Sequence, residues 1–288
     1  MYMTHTPSAQ LFRSLQAIYP MGEARAIMQL VMEQAFGYST LQLCMGQDVS
    51  MSSYKRRRLH NIAQRLLQKE PVQYVLGYAM FCGHHLRVRP GVLIPRPETE
   101  GLVQWVVHDM QEACCATPRV LDMGTGSGCI AISLALALPQ AQVSALDVSA
   151  AALGIARRNA HRLGARVQFC KEDLLHPAFP RRLKSAGWQV MVSNPPYVLQ
   201  SEQAQMEEHV LCHEPAEALF VPDDDPLLFY RAIGRYALGA LAPQGALYLE
   251  TNTAWAAQTA AMLRSIGFGQ VELRDDCFDR PRLVKCSL

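Results

Sequence analysis

The fold of this chain is decided by residues 119–138, which read RVLDMGTGSGCIAISLALAL. The apolar residues at 120–123 predict a short buried strand. The alternating glycines that follow allow a tight turn and let a ligand approach the backbone closely. An apolar helix then extends to Leu138. A strand, a glycine-rich turn and a helix in this order are typical of the first unit of a doubly wound sheet that binds a cofactor.

The alternation of strand and helix continues toward the carboxyl terminus. Strands are predicted at 143–146, 167–170, 190–193, 246–249 and around Val271, and helices at 149–163, 226–241 and 255–266. Because buried strands that alternate with helices form parallel sheets with right-handed crossovers, we expect a doubly wound α/β sheet. Its ligands are expected beyond the carboxyl ends of the strands.

The residues before this sheet predict two further parts. Apolar side chains recur at spacings of three and four through the first seventy residues, which predicts helices, one of them running from Ser52 or Ser53 to Leu67. Two short strands around Gly83 predict a hairpin. We therefore expect a helical domain at 1–76, a β-hairpin linker at 77–95 and the α/β-sheet domain at 96–288.

The composition argues against several classes of protein. Half of the 288 residues are apolar and 18 % are charged, which argues against a disordered chain. The longest apolar run, Cys129–Leu138, falls short of the ~20 residues that span a bilayer. The first residues lack the cationic and then apolar pattern of a secretion signal, so we expect a cytoplasmic protein with no membrane association. Nine cysteines without C-x-x-C spacing predict neither a metal site nor a disulfide framework.

Charge is distributed unevenly along the chain. Residues 1–90 carry a net charge of +6 and residues 91–288 one of −4, which predicts two bodies with different surfaces. The basic run Lys55–Arg58 fits either a solvated helix face or a docking patch for an acidic partner. The overall balance is too modest for a dedicated nucleic-acid-binding protein, so we expect no stable nucleic-acid partner.

Two cofactors fit the glycine-rich turn: a nicotinamide dinucleotide and S-adenosylmethionine. A dinucleotide turn has glycines at its first, third and sixth positions, but the sixth position counted from Gly124 is Cys129. Asp122 precedes the turn, and a carboxylate there suits the cationic amino group of S-adenosylmethionine. The pattern therefore favours S-adenosylmethionine.

Acidic residues after two further strands extend the predicted cofactor site. Asp147 ends the second strand of the sheet, where a carboxylate can accept hydrogen bonds from both hydroxyls of a ribose. Glu172 and Asp173 follow the third strand. Asp173 is our candidate partner for the adenine amino group, with Leu174 packed beside the ring. The alternative that Asp173 only caps a helix stays open.

A second motif, Asn194-Pro195-Pro196-Tyr197, follows the fourth strand. Consecutive prolines make the turn rigid and leave their carbonyls free to accept hydrogen bonds. One proton of a planar NH2 group can then bind the Asn194 side chain and the other the Pro195 carbonyl, with Tyr197 as an aromatic wall. An amide nitrogen is a poor nucleophile, so holding both protons and aiming its lone pair at a sulfonium methyl group would favour methyl transfer. We assign no general base.

These motifs resemble those of a known family. The segment Leu93–Glu100 (LIPRPETE), the glycine-rich turn and the tetrapeptide are similar to class I S-adenosylmethionine-dependent glutamine methyltransferases, and among them to the release factor branch called HemK or PrmC. The loop residues Glu214-Pro215 and Ala218-Leu219-Phe220 match that family as well. The chain departs from the family pattern at His213, Asp279 and Pro281.

The resemblance implies a seven-stranded, mostly parallel class I methyltransferase sheet with a helical N-terminal domain that recognises the substrate. Together with Asp122, the residues assigned to S-adenosylmethionine are Gly124, Thr125, Gly126, Ser127, Gly128, Asp147, Asp173, Leu174 and Asn194. The residues implied to hold the substrate glutamine and serve catalysis are Asn194, Pro195, Pro196 and Tyr197. Arg96–Glu100 would shape the floor of the site.

The implied reaction is methylation of the side-chain amide of glutamine in the Gly-Gly-Gln motif of class 1 peptide chain release factors, by a monomeric enzyme. Among the alternatives, a ribosomal-protein glutamine methyltransferase is chemically identical at the site. An adenine-N6 DNA methyltransferase also presents a planar NH2 group, but it needs a basic recognition surface, whereas residues 91–288 are net acidic. The turn disfavours a nicotinamide dehydrogenase, and the tetrapeptide disfavours a non-catalytic S-adenosylmethionine-binding protein.

Overall fold

A computed structural model describes residues 5–113, 115–176 and 187–288 of the chain. The chain forms two compact units. The first comprises Met1–Tyr78 with Glu207–His213, and the second comprises Ala79–Met206 with Glu214–Leu288. The segment Glu207–His213 falls inside the range 96–288 that the sequence assigned to the α/β-sheet domain, but it clusters with the first unit.

The first unit is helical. Its elements are α1 (Pro7–Leu15), α2 (Met21–Phe36), α3 (Thr40–Cys44), a 3₁₀ turn at Gln47–Ser50, α4 (Ser53–Leu67), α5 (Val72–Leu76) and α9 (Glu208–His213), the last numbered by its place in the chain. The Thr6 hydroxyl caps α1 by accepting from the Ala9 N–H at 3.2 Å, and Ser52 caps α4. Apolar stripes on these helices meet in one core that includes Leu15, Met28, Met32 and Leu66.

The second unit is built on a seven-stranded sheet. Its strands and helices are β1 (Tyr78–Phe81), β2 (His84–Arg87), α6 (Pro97–Glu112), β3 (Arg119–Met123), α7 (Cys129–Ala137), β4 (Gln142–Asp147), α8 (Ala150–Leu163), β5 (Val167–Lys171), β6 (Trp188–Ser193), β7 (Val198–Leu199), β8 (Phe220–Val221), α10 (Leu228–Ala240), β9 (Leu241–Glu250), α11 (Ala256–Ile266), β10 (Gln270–Asp275) and β11 (Pro281–Ser287). Strands β1 and β2 form the predicted hairpin, which begins at the boundary between the units, and β7 pairs with β8.

The large sheet has the strand order β10-β11-β9-β6-β3-β4-β5. The pairs from β9 to β5 are parallel, while β11 runs antiparallel to both of its neighbours. The prediction of a doubly wound, mostly parallel, seven-stranded sheet is confirmed.

Apolar cores cover both faces of this sheet. In β3, Val120 packs into the core shared with α6 and α7, and its neighbour Leu121 packs into the core shared with α10 and α11. This alternation follows from the two-residue period of a strand that is buried on both sides. It explains why the strands read as nearly continuous apolar runs.

The strand order places the crevice of the sheet at the end of β3. That strand lies between β4 and β6, because the chain adds β4 and β5 on one side of β3 and then returns to add β6 on its other side. At such a switch point the connections after neighbouring strands diverge and leave room for a ligand. The glycine-rich turn follows β3 and the tetrapeptide follows β6, and both therefore lie at this crevice.

The carboxyl-terminal edge of the sheet differs from expectation. Strand β11 was not predicted, because it begins at Pro281 and carries the charged residues Arg282 and Lys285. It nevertheless lies between β9 and β10, with Val284 and Cys286 buried. A proline is compatible with the first position of a strand. The helix predicted to begin at Pro226 begins at Leu228.

Three further predictions concern membranes, metals and cysteines. Within the described ranges, no helix combines the length and apolarity needed to cross a membrane. The same ranges contain no cluster of His, Cys, Asp or Glu side chains suited to a metal ion. The eight cysteines in these ranges are free thiols, and Cys114 lies outside the described residues.

Candidate active site

A cavity of about 280 Å³ lies at the carboxyl ends of β3, β4, β5 and β6. Its lining includes seven residues predicted from the sequence, namely Gly124, Gly126, Asp147, Asp173, Leu174, Asn194 and Pro196. Apolar side chains from Val92, Leu146 and Phe229 complete much of the wall. The structure thus brings the glycine-rich turn and the tetrapeptide to one cavity.

The glycine-rich turn presents its backbone to this cavity. Gly124 and Gly126 have positive φ angles of 76° and 55°, and Gly124 is exposed. The N–H groups of Gly124 and Thr125 both donate to the carbonyl of Leu146 at 2.9 Å, which ties the turn to β4. Glycine is favoured at both positions because other residues rarely adopt such angles.

Asp122 lies beneath the turn and not in the cavity wall. Its Oδ2 accepts hydrogen bonds from the Thr125 hydroxyl at 2.6 Å and the Ala131 N–H at 3.1 Å. Its Oδ1 has no hydrogen-bond partner among the described residues. Burial raises the pKa of Asp122 to about 7. The predicted residues Thr125, Ser127 and Gly128 are likewise buried and do not line the cavity.

Asp147 does line the cavity, at the end of β4. Its Oδ2 accepts from the Gly126 N–H and its Oδ1 from the Ser149 N–H, both at 2.8 Å. Burial raises the pKa of this carboxyl above its ordinary value, although these two hydrogen bonds oppose the shift. Each oxygen keeps a further lone pair for a ligand. The side chain is therefore held in place by backbone that also borders the cavity.

The charged side chains among the described residues of the cavity wall are all negative. Its carboxylates are those of Asp147, Glu172, Asp173 and Glu217, and its described lining contains no lysine, arginine or histidine. Such a wall disfavours the pyrophosphate of a dinucleotide and suits a cation. S-adenosylmethionine carries a sulfonium and an ammonium group, so the residues present fit it better than they fit a nicotinamide dinucleotide.

Asp173 lies at the cavity, and its side chain also closes a turn in the backbone. Its Oδ1 accepts from the Leu175 N–H at 2.9 Å, so the side chain caps a turn. The same residue lines the cavity beside Leu174. Its contact with adenine therefore stays a prediction.

The four residues of the tetrapeptide are placed differently. Asn194 and Pro196 line the cavity, whereas Pro195 is buried and Tyr197 packs its ring against the core shared with α10 and α11. The carbonyl of Pro195 accepts no hydrogen bond from the described residues. The backbone N–H groups of Tyr197 and Val198 both donate to the Leu219 carbonyl, which holds the end of the tetrapeptide.

Two buried residues contact both ends of the tetrapeptide: Glu250, which was not among the predicted site residues, and Thr99, which was expected only as part of the floor segment Arg96–Glu100. The Asn194 side-chain NH2 donates to the Thr99 hydroxyl at 3.2 Å, and that hydroxyl donates to Glu250 Oε2 at 2.6 Å. The Tyr197 hydroxyl donates to Glu250 Oε1 at 3.3 Å. Burial raises the pKa of Glu250 above its ordinary value.

An arginine lies next to this cluster. The Arg282 guanidinium donates to the Tyr197 hydroxyl at 3.4 Å and to Asp276 Oδ2 at 2.8 Å. Asp276 in turn accepts from the N–H groups of Phe278 and Arg280. The turn between β10 and β11 therefore holds the arginine that faces Tyr197.

The segment Arg96–Glu100, which the sequence placed at the floor of the site, contributes through two contacts. Thr99 reaches Asn194, and Arg96 Nη2 lies 2.6 Å from Glu214 Oε1. A signal for Glu250 existed in the sequence, because it follows the apolar run 246–249 as Asp147 follows 143–146. Thr99 was expected near the site only through the resemblance that covers Arg96–Glu100, since a threonine early in a helix is ordinary.

Comparison with known proteins gives relatives over nearly the whole chain. Residues 102–221 match the Methyltransferase small domain family, and residues 9–77 match the PrmC N-terminal domain family. The chain is 44 % identical over 280 residues to a release factor glutamine methyltransferase of Bacteroides thetaiotaomicron, covering 97 % of this chain and 98 % of that protein. It is 34 % identical over 279 residues to one of Flavobacterium psychrophilum, covering 96 % of each.

A solved structure shares the fold of the chain. The hMettl16 catalytic domain, determined in complex with the MAT2A 3′UTR hairpin 6, superposes with a TM-score of 0.55 at 16 % identity. The match covers 82 % of each chain. At this identity the likeness extends to the fold alone.

Proposed function

This chain belongs to the release factor glutamine methyltransferase family, and on that premise we propose how its residues transfer a methyl group from S-adenosylmethionine to the glutamine side chain of a release factor. The observation that carries the proposal is that Asn194 and Pro196 line the same cavity as Asp147. A cofactor held by Asp147 and a side chain held by the tetrapeptide would therefore meet in one space.

The negative wall of the cavity supports binding of the cationic cofactor. In this proposal Asp147 binds the ribose hydroxyls, while Asp173 and Leu174 border the adenine. Gly124 and Gly126 allow close approach to the backbone. Contacts of Asp122, Thr125, Ser127 and Gly128 with the cofactor remain predictions, and the positions of these residues support a role in shaping the turn.

The tetrapeptide orients the acceptor. Asn194 Oδ1 accepts one N–H of the glutamine amide and the Pro195 carbonyl accepts the other, while Pro195 and Pro196 keep the turn rigid. The Tyr197 ring packs against the core, and its role as an aromatic wall stays a prediction. Bound S-adenosylmethionine supplies the methyl group, so an N–C bond forms, the S–C bond breaks and the nitrogen loses one proton. Orientation of this kind contributes up to ~7–11 kcal/mol in the best intramolecular cases. The two oxygen dipoles also stabilise positive charge that develops on the nitrogen.

No general base is required before transfer, because the nitrogen becomes acidic once it is alkylated. The environment of Glu250, next to the tetrapeptide, supports this view. Its carboxylate is buried and accepts hydrogen bonds from the hydroxyls of Thr99 and Tyr197, so it is not free to take a proton from the substrate. The proton can leave to water after the methyl group has been transferred.

We further propose that the acceptor is the glutamine of the Gly-Gly-Gln motif of class 1 release factors and that the enzyme acts as a cytoplasmic monomer. Residues 1–76 would recognise the substrate protein, 77–95 would serve as a hairpin linker and 96–288 would carry out the methyl transfer. The described residues of the cavity wall include no basic side chain, which disfavours a DNA acceptor. The names of the relatives favour a release factor over a ribosomal protein as substrate.

The test is a methyl-acceptor assay with isotopically labelled S-adenosylmethionine. A class 1 release factor should be labelled, and its Gln→Ala variant in the tripeptide should not. Duplex DNA and ribosomal proteins serve as competing acceptors. Labelling of either, without labelling of the release factor, would contradict the proposal.

A further inference from the structure

We propose that Thr99 and Glu250 are positioning residues that fix the orientation of the Asn194 side-chain amide, so that its oxygen and not its NH2 group faces the acceptor. The inference rests on the proposed role of Asn194 in glutamine binding. Rotating the terminal amide of an asparagine by 180° exchanges the positions of its oxygen and nitrogen with little change of shape. A site that needs an acceptor at this position must therefore prevent that rotation.

The direction of the hydrogen bonds follows from the chemistry of Glu250. An ionised carboxylate accepts hydrogen bonds and cannot donate them. The Thr99 hydroxyl has one proton, which it donates to Glu250 Oε2 at 2.6 Å. Only lone pairs then remain on that hydroxyl, so the group of Asn194 that lies 3.2 Å away must be its NH2 group. The amide oxygen is left without a partner among the described residues and is directed away from Thr99.

Burial raises the pKa of Glu250, and three neighbours, Thr99, Tyr197 and Arg282, oppose that rise by stabilising the ionised carboxylate. Arg282 lies beside the Tyr197 hydroxyl, and its positive charge opposes the effect of burial on Glu250. Tyr197 donates to the second oxygen of the same carboxylate. Thr99 and Glu250 are 2 % and 1 % exposed, so water does not compete for these hydrogen bonds. One buried carboxylate thus sets the orientation of Asn194 and also holds Tyr197.

This arrangement makes a prediction about specificity. An outward-facing Asn194 oxygen accepts an N–H from glutamine, but it repels the carboxylate of glutamate. If the amide were free to rotate, its NH2 group could bind that carboxylate. Loss of the Thr99 hydroxyl should therefore reduce the preference for glutamine over glutamate, in addition to lowering the rate.

The experiment compares Thr99→Val with Thr99→Ser, which keeps the hydroxyl, and with Glu250→Gln. Binding of a release factor and of its Gln→Glu variant is measured for each protein, together with kcat, KM and the Kd of S-adenosylmethionine. We expect Thr99→Val to lower kcat at least about 30-fold and to shrink the Gln-over-Glu affinity ratio at least about 5-fold. Its cofactor Kd should change less than about 3-fold. Thr99→Ser should keep the wild-type affinity ratio. The ratio for Glu250→Gln should lie between those of wild type and Thr99→Val, because a glutamine at 250 can present either its oxygen or its NH2 group to Thr99.

A second measurement does not depend on turnover. Hydrogen exchange of side-chain amides, followed by NMR in the ligand-free protein, should show one Asn194 proton protected at least about 10-fold relative to exposed Asn61. Thr99→Ser should keep this protection, and Thr99→Val should lose it. If Thr99→Val kept both the wild-type protection of Asn194 and the wild-type Gln-over-Glu affinity ratio, the proposal would be overturned, even if the wild-type enzyme methylated the release factor. If the wild-type protein failed to label any release factor, the proposed function would fail, and the exchange experiment would still test the orientation.

Discussion

The guanidinium of Arg96 lies 2.6 Å from the carboxylate of Glu214, a residue 118 positions further along the chain. The second oxygen of that carboxylate accepts from the Ile94 N–H at 3.0 Å. The ion pair joins the segment 93–100 to the loop that supplies Pro215 and Glu217 to the cavity wall. The sequence had given Arg96 no distinct role.

We expect Arg96→Met to lower the free energy of unfolding by about 2–3 kcal/mol. Removing one partner of a buried ion pair costs about 3–5 kcal/mol, and the partial exposure of Arg96 reduces this figure. Urea denaturation measures the effect. The double variant Arg96→Met/Glu214→Gln should recover part of the loss, because no unpaired charge is left buried. A single variant within 0.5 kcal/mol of wild type, on the scale of a surface substitution, would show that the pair is not needed for stability.

Gly124 and Gly128 have similar φ angles, 76° and 86°, but different surroundings. A Cβ on Gly128 would lie 2.8 Å from Ile132 Cδ1 and 3.1 Å from Ala156 Cβ, whereas one on Gly124 would meet nothing within 4 Å. We expect Gly128→Ala to destabilise the protein by about 3 kcal/mol, from backbone strain and overpacking together. Gly124→Ala should cost about 1 kcal/mol in stability but weaken cofactor binding. Thermal denaturation and calorimetric titration separate the two effects, and equal stabilities would contradict the argument.

Asn194→Ala should reduce turnover far more than it reduces cofactor affinity. We expect kcat to fall about 100-fold or more, because an acceptor for the glutamine amide is lost during methyl transfer. The Kd of S-adenosylmethionine should change less than about 3-fold. Asn61→Ala, on the exposed surface of α4, is the matched control and should leave both quantities unchanged. Wild-type turnover in Asn194→Ala would remove that residue from the mechanism.

Asp147→Asn should weaken binding of S-adenosylmethionine about 10-fold to 100-fold, since hydrogen bonds to a charged group contribute about 1.5–3 kcal/mol.

Asp173→Ala tests the two interpretations of that residue. A contact with adenine predicts roughly 10-fold weaker binding with little change in Tm. A purely structural turn predicts the opposite, a lower Tm with unchanged affinity. Isothermal titration and thermal melts of both variants give the answer.

The raised pKa of Asp122 predicts a pH-dependent stability. The carboxyl has a pKa of about 7 in the folded protein against 3.8 as its ordinary value. Between these values the native state binds a proton that the unfolded state has lost, so stability falls as the pH rises through this window. Relative to Asp122→Asn, the wild-type protein should lose on the order of 2–4 kcal/mol between pH 4 and pH 8. Urea denaturation of both proteins across this range measures the difference, and parallel curves would exclude the effect.

The sequence alone predicted the features that depend on local pattern. The two-residue alternation of Val120 and Leu121 follows from burial on both faces of the sheet, and the glycines at 124 and 126 follow from the turn. The contact between Thr99 and Glu250 joins residues 151 positions apart, so no local pattern could reveal it. Asp122 illustrates a different limit. An acid before a glycine-rich turn can face a ligand or support the turn, and only the fold shows that its side chain lies beneath.

The helix Glu208–His213 lies between two stretches of the second unit in the sequence, yet it belongs to the first, where Glu208 pairs with Lys69. Neither unit is therefore a single continuous length of polypeptide. A shortened protein that started at residue 79 would still contain the sequence of this helix but would lack the residues of the first unit that the helix contacts. To produce the second unit alone, one would have to replace Glu207–His213 with a flexible linker as well as remove residues 1–78.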